Sequence, residues 1–186
     1  IQTGDPDWDA AFALTQKTAL GLFLPASEHL PQPSFVLARG PDSGYSRKGD
    51  GSDYPLAWSG QSPLEAYYLA SLLPGAPEAA RGLLKNFLAA QTEDGFIDLR
   101  PGLAGQRGKM LAAPLLASLA WQVYQSTNDE TFLAESFPKL LAFFWNWFSP
   151  AHDRDHDNLP EWDHLLQTGF EENPLFDTWN PWSQGV

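Results

Sequence analysis

The sequence predicts an all-α fold built from helical hairpins, and three observations support this class. Apolar residues recur at intervals of three and four along the periodic segments, which is the spacing of one helix face. Several of these segments begin with a capping residue or with Pro at the first helical position. No stretch of four or more residues alternates apolar and polar side chains as a half-buried strand does.

The first helix is predicted to begin at Asp5-Pro6, where Asp caps the helix and Pro occupies its first position. The residues predicted to face the core follow at three- and four-residue steps and are Trp8, Phe12, Thr15, Ala19 and Leu22. This spacing favours packing over ligand contact for the two aromatic residues.

The second helix is predicted to begin at the capping box Ser62-Pro63-Leu64-Glu65 and to end near Leu73. Pro77 starts the next helix, which runs to Gln91, and residues 92–95 then turn the chain. Further helices are predicted over residues 114–125, 129–135 and 136–148, with Ser136 as the cap of the last one.

Three long segments without periodicity, residues 24–61, 92–112 and 149–186, separate these helices. Loops longer than about 12–15 residues are uncommon in compact domains and are often functional. Hairpins placed side by side would gather such loops at one end of a ring or arc. We therefore expect the functional site at that end.

Composition excludes several classes of partner. The 186 residues fit one domain, and the net charge of −12 argues against nucleic acid and anionic membrane surfaces. No run of about 18 apolar residues is present, so a soluble chain without a membrane span is expected. The absence of cysteine excludes disulfides, thiolate metal sites and thiol nucleophiles. The compartment stays open, with the cytoplasm slightly favoured.

Residues 153–182 combine carboxylates and tryptophans without helical or strand periodicity. The carboxylates are Asp153, Asp155, Asp157, Glu161, Asp163, Glu171, Glu172 and Asp177, and the tryptophans are Trp162, Trp179 and Trp182. Carboxylates accept hydrogen bonds from hydroxyl groups, and an indole face covers the apolar face of a sugar ring. The segment therefore predicts a carbohydrate site.

The segment Gln167-Thr-Gly-Phe-Glu-Glu-Asn-Pro-Leu-Phe-Asp resembles the acid-bearing motif of glycoside hydrolase family 63 and its trehalase-like relatives. Asp155-His-Asp-Asn-Leu-Pro-Glu-Trp resembles the segment that precedes this motif. Trp58-Ser-Gly-Gln and Gln91-Thr-Glu-Asp-Gly-Phe-Ile resemble two further landmarks of the family. The resemblance covers roughly residues 55–186 and is carried by these short motifs.

This resemblance implies an (α/α)6 toroid and an inverting glycosidase that acts on a small α-linked glycoside. The enzyme would be of the glucosidase, trehalase or mannosylglycerate-hydrolase kind, with no metal or other cofactor in catalysis. A complete toroid needs about twice the helices predicted here. Residues 1–186 are therefore expected to form part of the catalytic domain. The general base is expected in a C-terminal half that would be the partner of this chain.

Inverting hydrolysis needs one protonated carboxyl group and one ionised carboxylate. We predict Glu171 as the general acid, because burial beside Phe170 and a neighbouring carboxylate at Glu172 would both raise its pKa. Glu172 and Asp177 are the fallback candidates, and a structural role for Glu171 stays open. The predicted substrate contacts are Trp58, Gln61, Trp162, Asp163, Asn173, Trp179 and Trp182.

Two metal interpretations are weaker. Asp153-x-Asp155-x-Asp157 resembles the start of a calcium loop, but a solvated turn capped by Asp side chains is favoured. His152, His156 and His164 lack the His-Glu-x-x-His spacing of a helical zinc site. The non-enzymatic alternatives are a carbohydrate-binding helical module without turnover and a packing lobe of a larger protein.

Overall fold

The computed structural model describes residues 2–36, 60–103, 105–106, 109–162 and 167. The regular structure of these residues consists of five α-helices, and their β-pairing is limited to isolated bridges. The helices are α1 (Pro6–Gly21), α2 (Pro63–Leu72), α3 (Pro77–Ala90), α4 (Leu116–Thr127) and α5 (Glu130–Trp147). The predicted all-α class is confirmed, and the closure of the hairpins into a toroid stays a prediction. None of the described helices is both long and apolar enough to cross a bilayer.

Helix α1 begins as predicted, but the predicted core-facing stripe is wrong. Asp5 accepts hydrogen bonds from the N–H groups of Asp7 at 2.9 Å and Trp8 at 3.3 Å. Of the five predicted core residues only Ala19 is buried, whereas Trp8 is 70% exposed. Periodicity determines which residues share a helix face, and the rest of the chain determines whether that face is covered.

The core lies between α2, α3, α4 and α5, with α4 packed against the other three. Its largest fully buried side chains include Leu83, Leu84, Phe87, Leu116 and Leu119. Helix α2 begins at the predicted Pro63, but the Ser62 side chain makes no capping hydrogen bond. The capping box therefore marks the start of this helix without forming its side-chain bond.

Helix α4 is shifted by two residues from its predicted bounds of 114–125. Its C-cap is Asn128, which adopts a left-handed backbone conformation (φ 51°) and donates its N–H to the Tyr124 carbonyl at 2.7 Å. Asparagine tolerates this conformation better than most residues, so it provides a helix end without glycine.

Helix α5 is continuous, whereas the sequence predicted separate helices over 129–135 and 136–148. Ser136 does not cap a new helix but is buried inside α5. Pro138 lacks the N–H that would bond to the Ala134 carbonyl, but both residues are exposed and water can solvate that carbonyl. Burial along the opposite face stabilises the continuous helix through Phe132, Leu140, Phe143 and Trp147.

A charged contact joins α3 to the start of α5. Arg81 Nη1 donates to Asp129 Oδ2 at 2.7 Å, and the guanidinium lies 4.8 Å from the centroid of the Phe132 ring. Asp129 Oδ1 accepts the Phe132 N–H at 2.9 Å and thereby caps α5. The hydrogen bond from the Phe132 N–H, followed by that from Arg81, lowers the pKa of Asp129.

Replacing Asp129 with Ala should lower the melting temperature at neutral pH, because the substitution removes both the helix cap and the Arg81 contact. The folded-state pKa is depressed, so this stabilisation is present above the unfolded pKa of about 4 and is lost as the pH falls through the folded pKa. The gap in melting temperature between wild type and Asp129→Ala should therefore close in acid. Asp7→Ala, in the first turn of α1, is the control, and equal melting of all three proteins at neutral pH would refute the role of Asp129.

Candidate functional site

The described parts of the three predicted loops contact one another beside α3. Gly60 of the first loop pairs with Gly102 of the second, and the Gln61 N–H donates to the Pro101 carbonyl at 2.9 Å. Gln167 of the third loop donates through Nε2 to the Leu111 carbonyl at 3.0 Å. Segments that are distant in the sequence thus meet in one region, which we call the loop junction.

A buried pair of amides attaches the loop junction to α3. Gln61 donates through Nε2 to the Leu83 carbonyl at 2.7 Å and accepts from Asn86 Nδ2 at 3.1 Å. Asn86 Oδ1 also accepts the N–H of Gln32 in the first loop at 2.8 Å. Gln61, a predicted substrate contact, is 1% exposed, so its amide presents almost no surface to a ligand in this conformation, and the contact stays a prediction.

Asp98 organises the second loop from inside. Its fully buried carboxylate accepts the N–H of Arg100 at 3.0 Å and that of Lys109 at 2.9 Å. Lys109 has a φ of 57°, which is uncommon for a residue with a side chain. The bond from Asp98 compensates for this conformation and fixes the backbone from which the Lys109 side chain extends.

Trp162, another predicted substrate contact, belongs to an aromatic cluster at the start of the third loop. Its ring meets Trp147 edge to face, with centroids 5.2 Å apart, and 46% of the residue is exposed. Trp147 donates through Nε1 to the Ala112 carbonyl at 3.2 Å, and the buried His152 packs on it at 5.5 Å. Trp162 is therefore held against the core on one side and exposed on the other.

The carboxylates of Asp153, Asp155 and Asp157 offer oxygens within 4.8 Å of one another. Asp155 Oδ1 accepts the Asp157 N–H at 3.2 Å, and Asp157 Oδ1 accepts the Leu159 N–H at 2.8 Å. These bonds match the predicted turn in which Asp side chains accept backbone N–H groups. Calcium binding at this turn was the weaker alternative, and these bonds do not test it.

Most of the predicted catalytic and substrate-contact residues lie outside the described residues. They are Trp58, Asp163, Glu171, Glu172, Asn173, Asp177, Trp179 and Trp182. Gln167, the first residue of the motif, is described and fully buried at the loop junction. The first residue of the predicted acid-bearing motif is therefore fixed against the second loop.

A groove that the sequence did not predict lies between the 92–95 turn, α5 and the start of the third loop. Its volume is about 640 Å³, and its lining includes Glu93, Asp94, Lys109, Trp145, Asn146 and His152. The sequence placed Trp145 on a predicted helix without assigning it a role. The helical spacing indicated that Trp145 is exposed, because this residue lies outside the three- and four-residue series 136, 140, 143 and 147, whose members are buried.

The edge of this groove is held closely against α5. Asn146 donates through Nδ2 to the Asp94 carbonyl at 3.0 Å, and Gln91 donates through Nε2 to the Lys139 carbonyl at 2.8 Å. The hydrogen bond from the Thr92 hydroxyl, followed by that from the Phe96 N–H, lowers the pKa of Asp94. Asp94 is therefore an ionised hydrogen-bond acceptor at neutral pH.

No family model, curated protein or solved structure matches the chain. The resemblance to glycoside hydrolase family 63 therefore rests on the quoted motifs alone. Any function has to be inferred from the residues that form the loop junction and the groove.

Replacing Gly95 with Ala should destabilise the protein by about 1–3 kcal/mol. Gly95 has a φ of 90°, and a residue with a side chain would be strained in this conformation. A Cβ at this position would also lie 2.5 Å from the Ala142 carbonyl oxygen of α5. Urea unfolding monitored by circular dichroism measures the change. Gly75→Ala is the control, since a Cβ at Gly75 meets no atom within 4 Å. A Gly95→Ala variant as stable as Gly75→Ala would contradict the close contact.

Proposed function

We propose that this chain is part of the catalytic domain of an inverting glycoside hydrolase that acts on a small α-linked glycoside. The observation that carries the proposal is the position of Gln167, where the acid-bearing motif begins. Gln167 is buried and bonded to Leu111 at the loop junction. A helical scaffold that brings several loops together is a common way to assemble catalytic groups from distant parts of a chain.

In the proposed reaction Glu171, four residues after Gln167 in the sequence, is the general acid. Its carboxyl group donates a proton to the glycosidic oxygen as the bond to the anomeric carbon breaks. A carboxylate base takes a proton from the water that attacks this carbon from the opposite face. We assign this base to a part of the protein outside residues 1–186.

Trp162 supports a carbohydrate substrate. Its ring is oriented by the edge-to-face contact with Trp147 while 46% of the residue stays exposed. An oriented indole with an exposed surface can cover the apolar face of a sugar ring at little cost in side-chain entropy. Trp162 is thus the described residue best suited to a substrate contact near the motif.

A second candidate role is that of a packing lobe, and α5 favours it. The face of α5 opposite the core exposes Phe137, Leu141, Phe144 and Phe148 by 37–59%. A helix that is apolar on both faces is typical of a buried position. In this alternative the chain contributes structure to a larger protein and has no catalytic acid.

Replacing Glu171 with Gln should slow hydrolysis of a glycoside with a poor leaving group by about 10²–10⁴-fold. The amide keeps the shape of the side chain but cannot supply the proton. Much of the rate should return with a glycosyl fluoride or an activated aryl glycoside, since those leaving groups need little protonation. The assay requires the longest natural form of the chain, because the proposed base lies outside residues 1–186.

Glu172→Gln is the matched control and should cost less activity, because its proposed effect is only to raise the pKa of Glu171. If both variants hydrolyse the glycoside at near-parental rates, Glu171 is structural and the acid has to be sought at Asp163 or Asp177. A parent protein that hydrolyses none of the tested α-linked glycosides would favour the packing lobe.

A further inference from the structure

The groove beside α5 contains an aromatic ring that is both exposed and restrained. Trp145 is 61% exposed, yet its ring contacts Phe144 edge-on at 5.5 Å and Phe148 edge-on at 6.1 Å. These contacts limit rotation of the indole while leaving most of its surface accessible. A ring held in this way loses little conformational entropy when a ligand stacks on it.

Hydrogen-bonding groups of both kinds line the same groove as this ring. Asp94 uses Oδ1 within its own turn, and its Oδ2 has no hydrogen-bond partner among the described residues. Asn146 uses Nδ2 to hold the Asp94 carbonyl, and its Oδ1 likewise bonds to no described group. Glu93 and Lys109 add a carboxylate and an ammonium group to the same lining. Acceptors and a donor beside an aromatic surface match the alternating hydroxyl and C–H groups of a sugar.

Contacts within the protein hold the walls of the groove. Gly95 brings the 92–95 turn close to the backbone of α5, and Asp98 fixes the backbone of Lys109. His152 packs against the buried Trp147 at the far side. The groove, at about 640 Å³, lies within the usual size range of small-molecule sites.

From these observations we propose that the groove binds a neutral polyhydroxylated ligand, with a sugar ring stacked on Trp145 and its hydroxyl groups bonded to Asp94 and Asn146. Two carboxylates against one lysine disfavour phosphates and other anions. The polar lining disfavours a purely apolar ligand. This site uses no residue of the acid-bearing motif, so it goes beyond the proposed hydrolase and does not require turnover.

The test follows the tryptophan indole N–H signals of the isotope-labelled full chain by NMR during titration with glucose, maltose or trehalose. The Trp145 signal, assigned by its loss in Trp145→Phe, should shift saturably with at least one sugar. Trp145→Ala should weaken that binding about tenfold, which is the value of one well-formed aromatic contact. Trp121→Ala, which removes an exposed indole of α4 outside the groove, should leave the affinity unchanged.

Several outcomes would overturn the proposal. The proposal is wrong if none of the three sugars shifts the Trp145 signal. It is also wrong if Trp145→Ala and Trp121→Ala weaken binding equally. A Trp145→Ala variant with unchanged sugar affinity but reduced self-association would instead assign the ring to a protein contact. Glu171→Gln should not change binding in the groove, so a failure of the hydrolase proposal and a failure of this one give different results.

Discussion

The buried hydrogen bond between Gln61 and Asn86 is the contact on which the placement of the loops depends. A buried amide must find partners because an unsatisfied one costs about 1–3 kcal/mol. Here each side-chain amide also bonds to backbone groups, so the pair ties the first loop to α3. The backbone N–H of Gln61 bonds that loop to the Pro101 carbonyl of the second loop. The apolar residues of α3, among them Leu83 and Phe87, provide the burial that makes these bonds obligatory.

The second loop connects to the third loop and to α5 through two successive backbone carbonyl groups. The Leu111 carbonyl accepts from Gln167, and the Ala112 carbonyl accepts from Trp147 at the end of α5. Asp98 holds the same loop from inside by bonding the N–H of Lys109. The second loop therefore fixes both Gln167 and the backbone of Lys109, a residue that lines the groove.

Helix α5 has two roles because its two faces differ. One face builds the core through residues such as Phe143 and Trp147, which are 4% exposed. The other carries Phe144, Trp145 and Phe148 in mutual contact at 5.0–6.1 Å. These rings hold one another in fixed orientations, so this face provides a defined surface for a ligand or for further protein.

The sequence by itself determined the helical class and the helix starts that depend on local chemistry. Helices α1 and α3 each begin at a Pro with a fixed φ, and the Asp5 side chain also caps α1. Hydrogen bonds between near neighbours close the 92–95 turn. These interactions are complete within a few residues and can be read from the chain. The prediction of a carbohydrate site at residues 153–182 rests on composition alone and stays a prediction.

Only the tertiary structure decided which apolar faces are covered and which loops meet. Trp8 has the spacing of a core residue but lies where no described element covers it, and Pro138 lies within a helix because burial on the far side outweighs one lost bond. The sequence also did not show that the Gln61 side chain bonds to Leu83 and Asn86 of α3. Such outcomes depend on contacts between residues far apart in the sequence, and no local pattern records them.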